Sequence, residues 1–277
     1  MTLSLRAAAG LVWSQSVPYE PDPRMSTYYE EMLTPFGVAV DEDRLRTGTN
    51  VGFAQLAEAV LREMAPPIAN PDLLILAYAL PDLYPLKSTT AHLNHLLGGG
   101  SRSFAVAEQG LRAPFTALRI ADAYVRAGRY ADLALFICDQ TTLPYYDPVV
   151  HDTPLADSVV LLYFDDTGTG DLWFGGTTRG VVGAGPDTVV KPYLSDVDMN
   201  RTLVVLGPWA PAEPLESMVP NVRRVPAGTY CTSVWLDLAR HQEAWVDQYD
   251  ALVLCDTDPR TGLCQAALLH RRPAERS

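Results

Sequence analysis

The sequence predicts an α/β protein made of two copies of one βαβαβ-type unit, the second copy shortened. Three observations lead there. Apolar runs of strand length recur along the chain, amphipathic stretches with helical spacing lie between them, and the two kinds of segment occur twice in the same order. Residues 1–165 then form an N-terminal half and residues 166–277 a C-terminal half of one compact unit.

Residues 1–50 alternate short apolar pieces with Pro and acidic residues, and Met25 to Leu33 reads as a short helix ahead of Pro35. A stronger helix runs from about Asn50 to Met64. Phe53, Leu56, Ala57, Val60 and Leu61 share one side of it, and Pro66 and Pro67 stop it because neither can donate a helical hydrogen bond. Asp72 opens the run DLLILAYAL, whose unbroken hydrophobicity fits a strand covered on both faces. The next helix, about Ser88 to Leu97, ends at Gly98, Gly99 and Gly100, since glycine takes the left-handed backbone that closes a helix. Ser103 to Ala107 is a short strand. After a tight bend, a helix places Phe115, Leu118, Asp122 and Val125 at helical spacing, with Pro114 tolerated in its first turn and Gly128 at its end.

The order then repeats. DLALFICD (132–139) is echoed by DALVLCD (250–256), and each follows an amphipathic helix, at about 112–127 and about 231–246. The second of these carries Val234, Leu238, His241 and Trp245. Each run also precedes a second apolar stretch, SVVLLYF (158–164) and LCQAALLH (263–270), while DLLILA upstream matches TLVVLG (202–207). Such self-similarity is the mark of an internal duplication. Asp72 to Asp132 spans more sequence than Thr202 to Asp250, so the second copy has lost material. The segment 165–200, rich in Pro and Gly, and the run GPWAPAEP (207–214) read as loops standing in for longer elements.

Composition narrows the function. The 33 acidic residues against 21 basic ones give a net charge of −12, which argues against a surface that tracks nucleic-acid phosphates. No apolar run approaches the ~18 residues of a membrane span. Cys138, Cys231, Cys255 and Cys264 fall singly, with no CxxC pair and no secretory leader pattern, which fits a reduced, cytoplasmic compartment. The composition calls for no cofactor. His92 and His95 stand at i, i+3 without a third ligand at metal-binding spacing, so no metal site is assigned. His151 and Asp152 lack the Ser or Cys elbow that would complete a hydrolytic set.

The bend between the strand at Ser103 and the following helix is the most telling segment. In α/β enzymes a strand-to-helix bend exposes a reactive Cys or Ser at the positive end of the helix. Here it reads Glu108, Gln109, Gly110, Leu111, Arg112, with nothing nucleophilic at its tip.

This segment resembles the nucleophile motif AFDxxAACSGFxYALSVADxFVxSG of the ketoacyl synthase III branch of condensing enzymes, which lines up with Ser103 to Gly128 through Ala117 to Asp122. The resemblance implies a thiolase-like fold with layered α-β-α-β-α architecture. It places the family's catalytic Cys on Leu111. The family's GNTSAASV loop is similar to AGTYCTSV (227–234), which puts its catalytic Asn on Gly228. Its HQAN motif would follow the strand at Leu203, where this chain has Gly207, Pro208, Trp209 and Ala210, so the catalytic His falls on Pro208 or Trp209. The family mechanism needs a thiolate and two donors for enolate and oxyanion, and these side chains supply none of them.

No catalytic residue is therefore assigned. The resemblance implies a silent, shortened subunit of the chain-length-factor or small alkylquinolone-synthase kind. It would pair, as a heterodimer or heterotetramer, with an active ketoacyl synthase homologue in polyketide, fatty-acyl or alkylquinolone-type metabolism, and shape that partner's acyl pocket. Acyl-carrier protein or coenzyme A thioester would dock on the partner, since carrier proteins are acidic and so is this chain. Glu108, Leu111, Arg112 and Tyr230 are the interface or pocket candidates, although Glu108 and Arg112 also suit a plain helix-start pair. Trp209 and Tyr230 would fill the space left by the catalytic groups. The alternative is a divergent acyltransferase or thioester hydrolase in which Cys231, a Ser or an activated water replaces the nucleophile; a further one is a homodimeric binding protein for a small apolar ligand.

Overall fold

The computed structural model describes residues 2–195 and 197–271, and the statements below concern these. The strands are β1 (Ser4–Val12), β2 (Leu73–Tyr78), β3 (Arg102–Val106), β4 (Asp132–Asp139), β5 (Ser158–Asp165), β6 (Leu172–Arg179), β7 (Thr202–Leu206), β8 (Val222–Arg224), β9 (Ala251–Thr257) and β10 (Cys264–Arg271). The helices are α1 (Pro23–Leu33), α2 (Glu42–Thr47), α3 (Phe53–Glu63), α4 (Thr89–Leu96), α5 (Ala113–Arg126), α6 (Pro148–His151), α7 (Pro186–Leu194), α8 (Glu213–Glu216) and α9 (Ser233–Gln248).

All the strands join one sheet in the order β3-β2-β4-β5-β1-β6-β10-β9-β7-β8. Read outward from the β1–β6 seam, the two sides are copies: β1-β5-β4-β2-β3 and β6-β10-β9-β7-β8. Pairing repeats as well. β2 runs parallel to β3 and β4, as β7 does to β8 and β9, whereas β5 and β10 are antiparallel to their neighbours on both sides. The second copy is reduced at its edge, where β8 and α8 are shorter than β3 and α4.

The unbroken hydrophobicity of the inner strands follows from cover on both faces. Successive side chains of a strand point to opposite sides. In β4, Leu133, Leu135 and Ile137 enter the central core while Ala134, Phe136 and Cys138 enter the outer one. In β9, Leu252 and Leu254 face the centre, and Val253 and Cys255 face outward. The central core receives α5 and α9, whose Phe115 and Trp235 rings meet edge to face at 4.9 Å. Helices α3 and α4 cover the outer face of the first half, and α7 and α8 that of the second. The layers are therefore α-β-α-β-α.

Two expectations change. The segment 165–200 is not simply loop, because it contains β6 and α7. Gly175 and Gly176 give β6 the look of a turn, yet a side chain at Gly175 would run into Leu268 of β10, and the pairing with β10 shifts register beside it. The N-terminal residues form β1, a strand in the middle of the sheet. Its small residues serve packing: Gly10 lies against Leu236 of α9, where a Cβ would stand 2.7 Å from that side chain.

Candidate functional site

The elbow forms where β3 ends at Val106 and α5 begins at Ala113. Glu108 (φ 58°) and Gly110 (φ 56°) both take the left-handed backbone, which for a residue with a Cβ such as Glu108 carries strain. A 3-10 turn, Gly110–Arg112, then leads into the helix. Leu111 lies in the middle of this turn, is 3% exposed and packs into the central core.

The Leu111 N–H donates to Asp258 Oδ2 at 3.1 Å. Asp258 sits in the turn between β9 and β10 and is 1% exposed. Its other oxygen, Oδ1, accepts from the N–H groups of Arg260 (2.8 Å) and Thr261 (3.3 Å). A methyl group on Gly110 would overlap the Asp258 carboxylate, so the bend needs glycine for space as well as for backbone conformation.

The other central helix is treated alike. Asp139, the last residue of β4, accepts from the N–H groups of Tyr230 (3.0 Å), Cys231 (2.8 Å) and Thr232 (2.9 Å) and from the Thr232 hydroxyl (2.9 Å), all at the start of α9. Burial pushes the Asp139 carboxyl up from its ordinary value, and these donors only partly offset it. Asp256, at the end of β9, is pushed up to about 7 by burial, with the charges of Asp258 and Asp139 adding to the rise. It accepts from the Ser233 hydroxyl at 2.8 Å and from Thr257 N–H at 2.9 Å.

Of the positions that the resemblance marked as blank, Trp209 lies against the pocket candidate Tyr230. Trp209 and Tyr230 meet edge to face at 5.5 Å between ring centroids, and the Arg260 guanidinium lies 5.5 Å from the Tyr230 ring centre. Pro208 precedes Trp209 on the turn after β7, and Gly228 (φ 150°) lies in the loop before α9, with its carbonyl accepting from Ala156 N–H. Burial raises the Tyr230 hydroxyl well above its usual range.

A cavity of about 730 Å³ opens beside the elbow. Glu108 and Arg112 line it together with Asp258, Arg260, Tyr145 and Lys87. Leu111 and Tyr230 are not among the residues that line it, so of the four interface or pocket candidates two reach this space and two are packed behind it. Arg112 Nε donates to the Gln109 carbonyl at 3.2 Å, which orders the bend from within.

Cys231 is 2% exposed, and burial together with the charges of Asp139 and Asp256 pushes its thiol well above the ordinary value. A substitute nucleophile needs the opposite, an accessible thiol of lowered pKa. Cys138 and Cys255 are also buried, and the sulfur nearest Cys255 is that of Cys264, at 3.4 Å. His92 pairs with Glu58 at 2.7 Å, and His151 Nδ1 is engaged by the backbone of Asp147. Among the described residues no group of three His, Cys, Asp or Glu side chains is placed to hold a metal ion, and no helix is long and apolar enough to cross a membrane. The carboxylates of Asp139, Asp256 and Asp258 escaped the sequence reading. The signal for the first two was present in the repeated ending Cys-Asp of 132–139 and 250–256, whereas nothing local marks Asp258.

No family model matches the sequence, and no curated protein does. Solved structures do. OleA of Xanthomonas campestris, in its H285A form, matches with a TM-score of 0.66 at 12% identity, over 98% of this chain and 98% of that one. The 3-oxoacyl-(acyl carrier protein) synthase III, FabH, of Pseudomonas aeruginosa PAO1 gives 0.67 at 14% identity over 99% of each chain. The corresponding synthase III of Aquifex aeolicus VF5 gives 0.66 at 14% identity, over 97% of this chain and 99% of that one. The chain thus has a thiolase-like fold of the ketoacyl synthase III type; at such identities the likeness speaks for the fold alone.

Proposed function

We propose that this chain is a catalytically silent, ketoacyl-synthase-III-like subunit that pairs with an active, Cys-containing condensing enzyme in bacterial polyketide, fatty-acyl or alkylquinolone-type metabolism. The observation that carries this reading is Leu111: the elbow stands at the head of a central helix, and the side chain at its tip is a buried hydrocarbon. A covalent acyl carrier needs an ionisable nucleophile in reach of its substrate. Cys231, which shares the central core with Leu111, is buried, and burial pushes its thiol well above the ordinary value. Chemistry is therefore assigned to the partner, and this chain's part is to complete the interface and shape the acyl pocket.

Two further features support the pairing. β3 is an edge strand with one side unpaired in the sheet, a natural site for strand-to-strand association, and its Ala105 also lines the cavity beside the elbow. The net charge of −12 favours docking of an acidic carrier protein, or of a coenzyme A thioester, on the partner.

Co-expression with a ketoacyl synthase encoded nearby that retains its Cys tests the proposal. The two chains are expected to co-purify as a heterodimer or heterotetramer, with condensation confined to the complex. A covalent acyl adduct on the purified chain alone, after incubation with acyl thioester, would contradict it.

A further inference from the structure

We propose that Asp258 is a built-in anion that closes the elbow: its carboxylate holds the backbone donor which an open elbow offers to a substrate oxyanion, so a thiol restored at position 111 stays unreactive while Asp258 keeps its charge. This rests on the reading of the elbow as silent and adds a second, independent cause of that silence.

Three observations carry it. First, an aspartate that merely shapes a turn needs one oxygen, and Asp258 does that work with Oδ1, on Arg260 and Thr261. Its Oδ2 is directed away from the turn, into the other half of the molecule, onto Leu111 N–H. Second, the carboxylate is held in place independently of the elbow, since Asp258 N–H donates to the Leu263 carbonyl and its own carbonyl accepts from Gly262 N–H. Third, Gly110 makes the room: a side chain there would overlap the carboxylate. The backbone N–H groups at a helix start are the usual donors for a developing oxyanion, and the same positive end lowers a thiol's pKa. Here both effects are spent on an internal carboxylate.

The charged and titratable groups around this point are Glu108 and Arg112 on the elbow, Asp258 and Arg260 on the β9–β10 turn, Asp256 at the end of β9, Cys231 and Tyr230 before α9, and Tyr145 and Lys87 in the cavity lining. The Arg260 guanidinium forms its ion pair with Asp147, at 2.8 Å. A thiol at position 111 therefore meets a negative charge next to its own backbone N–H.

The experiment measures iodoacetamide alkylation across pH in Leu111→Cys and Leu111→Cys/Asp258→Asn, with position 111 read by peptide mass mapping. The single variant is expected to titrate above the ordinary thiol value of about 8.5, and the double variant clearly lower than the single one, with alkylation at neutral pH about ten-fold faster. Equal rates, or a single variant already titrating low, overturn the proposal. A second measurement reads the hydrogen bond itself: with Leu111 in place, Asp258→Asn should shift the Leu111 amide proton resonance upfield, because the charged acceptor of that N–H is lost. A Leu111 resonance indifferent to that carboxyl overturns the proposal as well. Neither measurement involves a partner, so the subunit reading stands or falls separately, on co-purification.

Discussion

Asp139 and Asp258 exchange their charges between the halves: Asp139, from the first half, receives the N–H groups that open α9 of the second, and Asp258, from the second, receives the N–H of Leu111 before α5 of the first. The two central helices are thus each anchored by a carboxylate from the opposite copy.

Replacing Asp139 should be costly. Asp139→Ala leaves three backbone N–H groups and the Thr232 hydroxyl without their acceptor in a buried position, where each unmet donor costs about 1–3 kcal/mol. Chemical denaturation is expected to show a loss of about 3 kcal/mol or more. Asp139→Asn, which retains an acceptor oxygen and removes a buried charge, should lose clearly less.

Asp256 should make the fold more stable at acidic than at alkaline pH within a defined window. Its carboxyl is raised from an ordinary 3.8 to about 7, so between these values the folded state binds the proton more tightly than the unfolded state does. Stability from this group is full below the lower value, falls as pH rises towards 7 and is flat above it, by a few kcal/mol in all. Asp256→Asn should flatten that slope in thermal melts and be more stable than the parent above pH 7. An unchanged slope would show that burial does not hold the proton on Asp256.

Gly110→Ala is expected to destabilise by more than the ~1 kcal/mol that a left-handed backbone alone costs, because its methyl group meets the Asp258 carboxylate. Combining it with Asp258→Gly removes the obstacle, so the losses should be less than additive. Additive losses in denaturant melts would separate the two residues.

All four thiols should resist alkylation in the native chain and react once it is unfolded. Each is buried, and burial pushes the thiols of Cys138, Cys231 and Cys255 up. Rapid native labelling at Cys231, read by mass mapping, would instead favour an acyltransferase or hydrolase with a substitute nucleophile.

What the sequence made legible depended on how each element is covered. The strand 132–139 could be read to the residue because a run buried on both faces has no polar interruption. β1 could not, since its Ala and Gly residues lack the β-branched signature: Gly10 is small to admit α9, while Ala7 and Ala9 pack in the outer core with α3. β6 was hidden by Gly175 and Gly176, of which Gly175 makes room for Leu268 of a strand distant in sequence. At the site, the loss of a nucleophile at Leu111 was visible from the local pattern, because an elbow is a local structure. The carboxylate that replaces its oxyanion was not, because Leu111 and Asp258 meet only through the tertiary fold.

The exchanged carboxylates also bear on what the ancient duplication can no longer undo. A chain severed between Asp165 and Leu172 would yield two fragments, each with a complete half-sheet and a central helix whose counter-charge lies on the other fragment. Each fragment is expected to fold poorly alone, and mixing them should restore the native fold by complementation, as two separate polypeptides bound into one molecule.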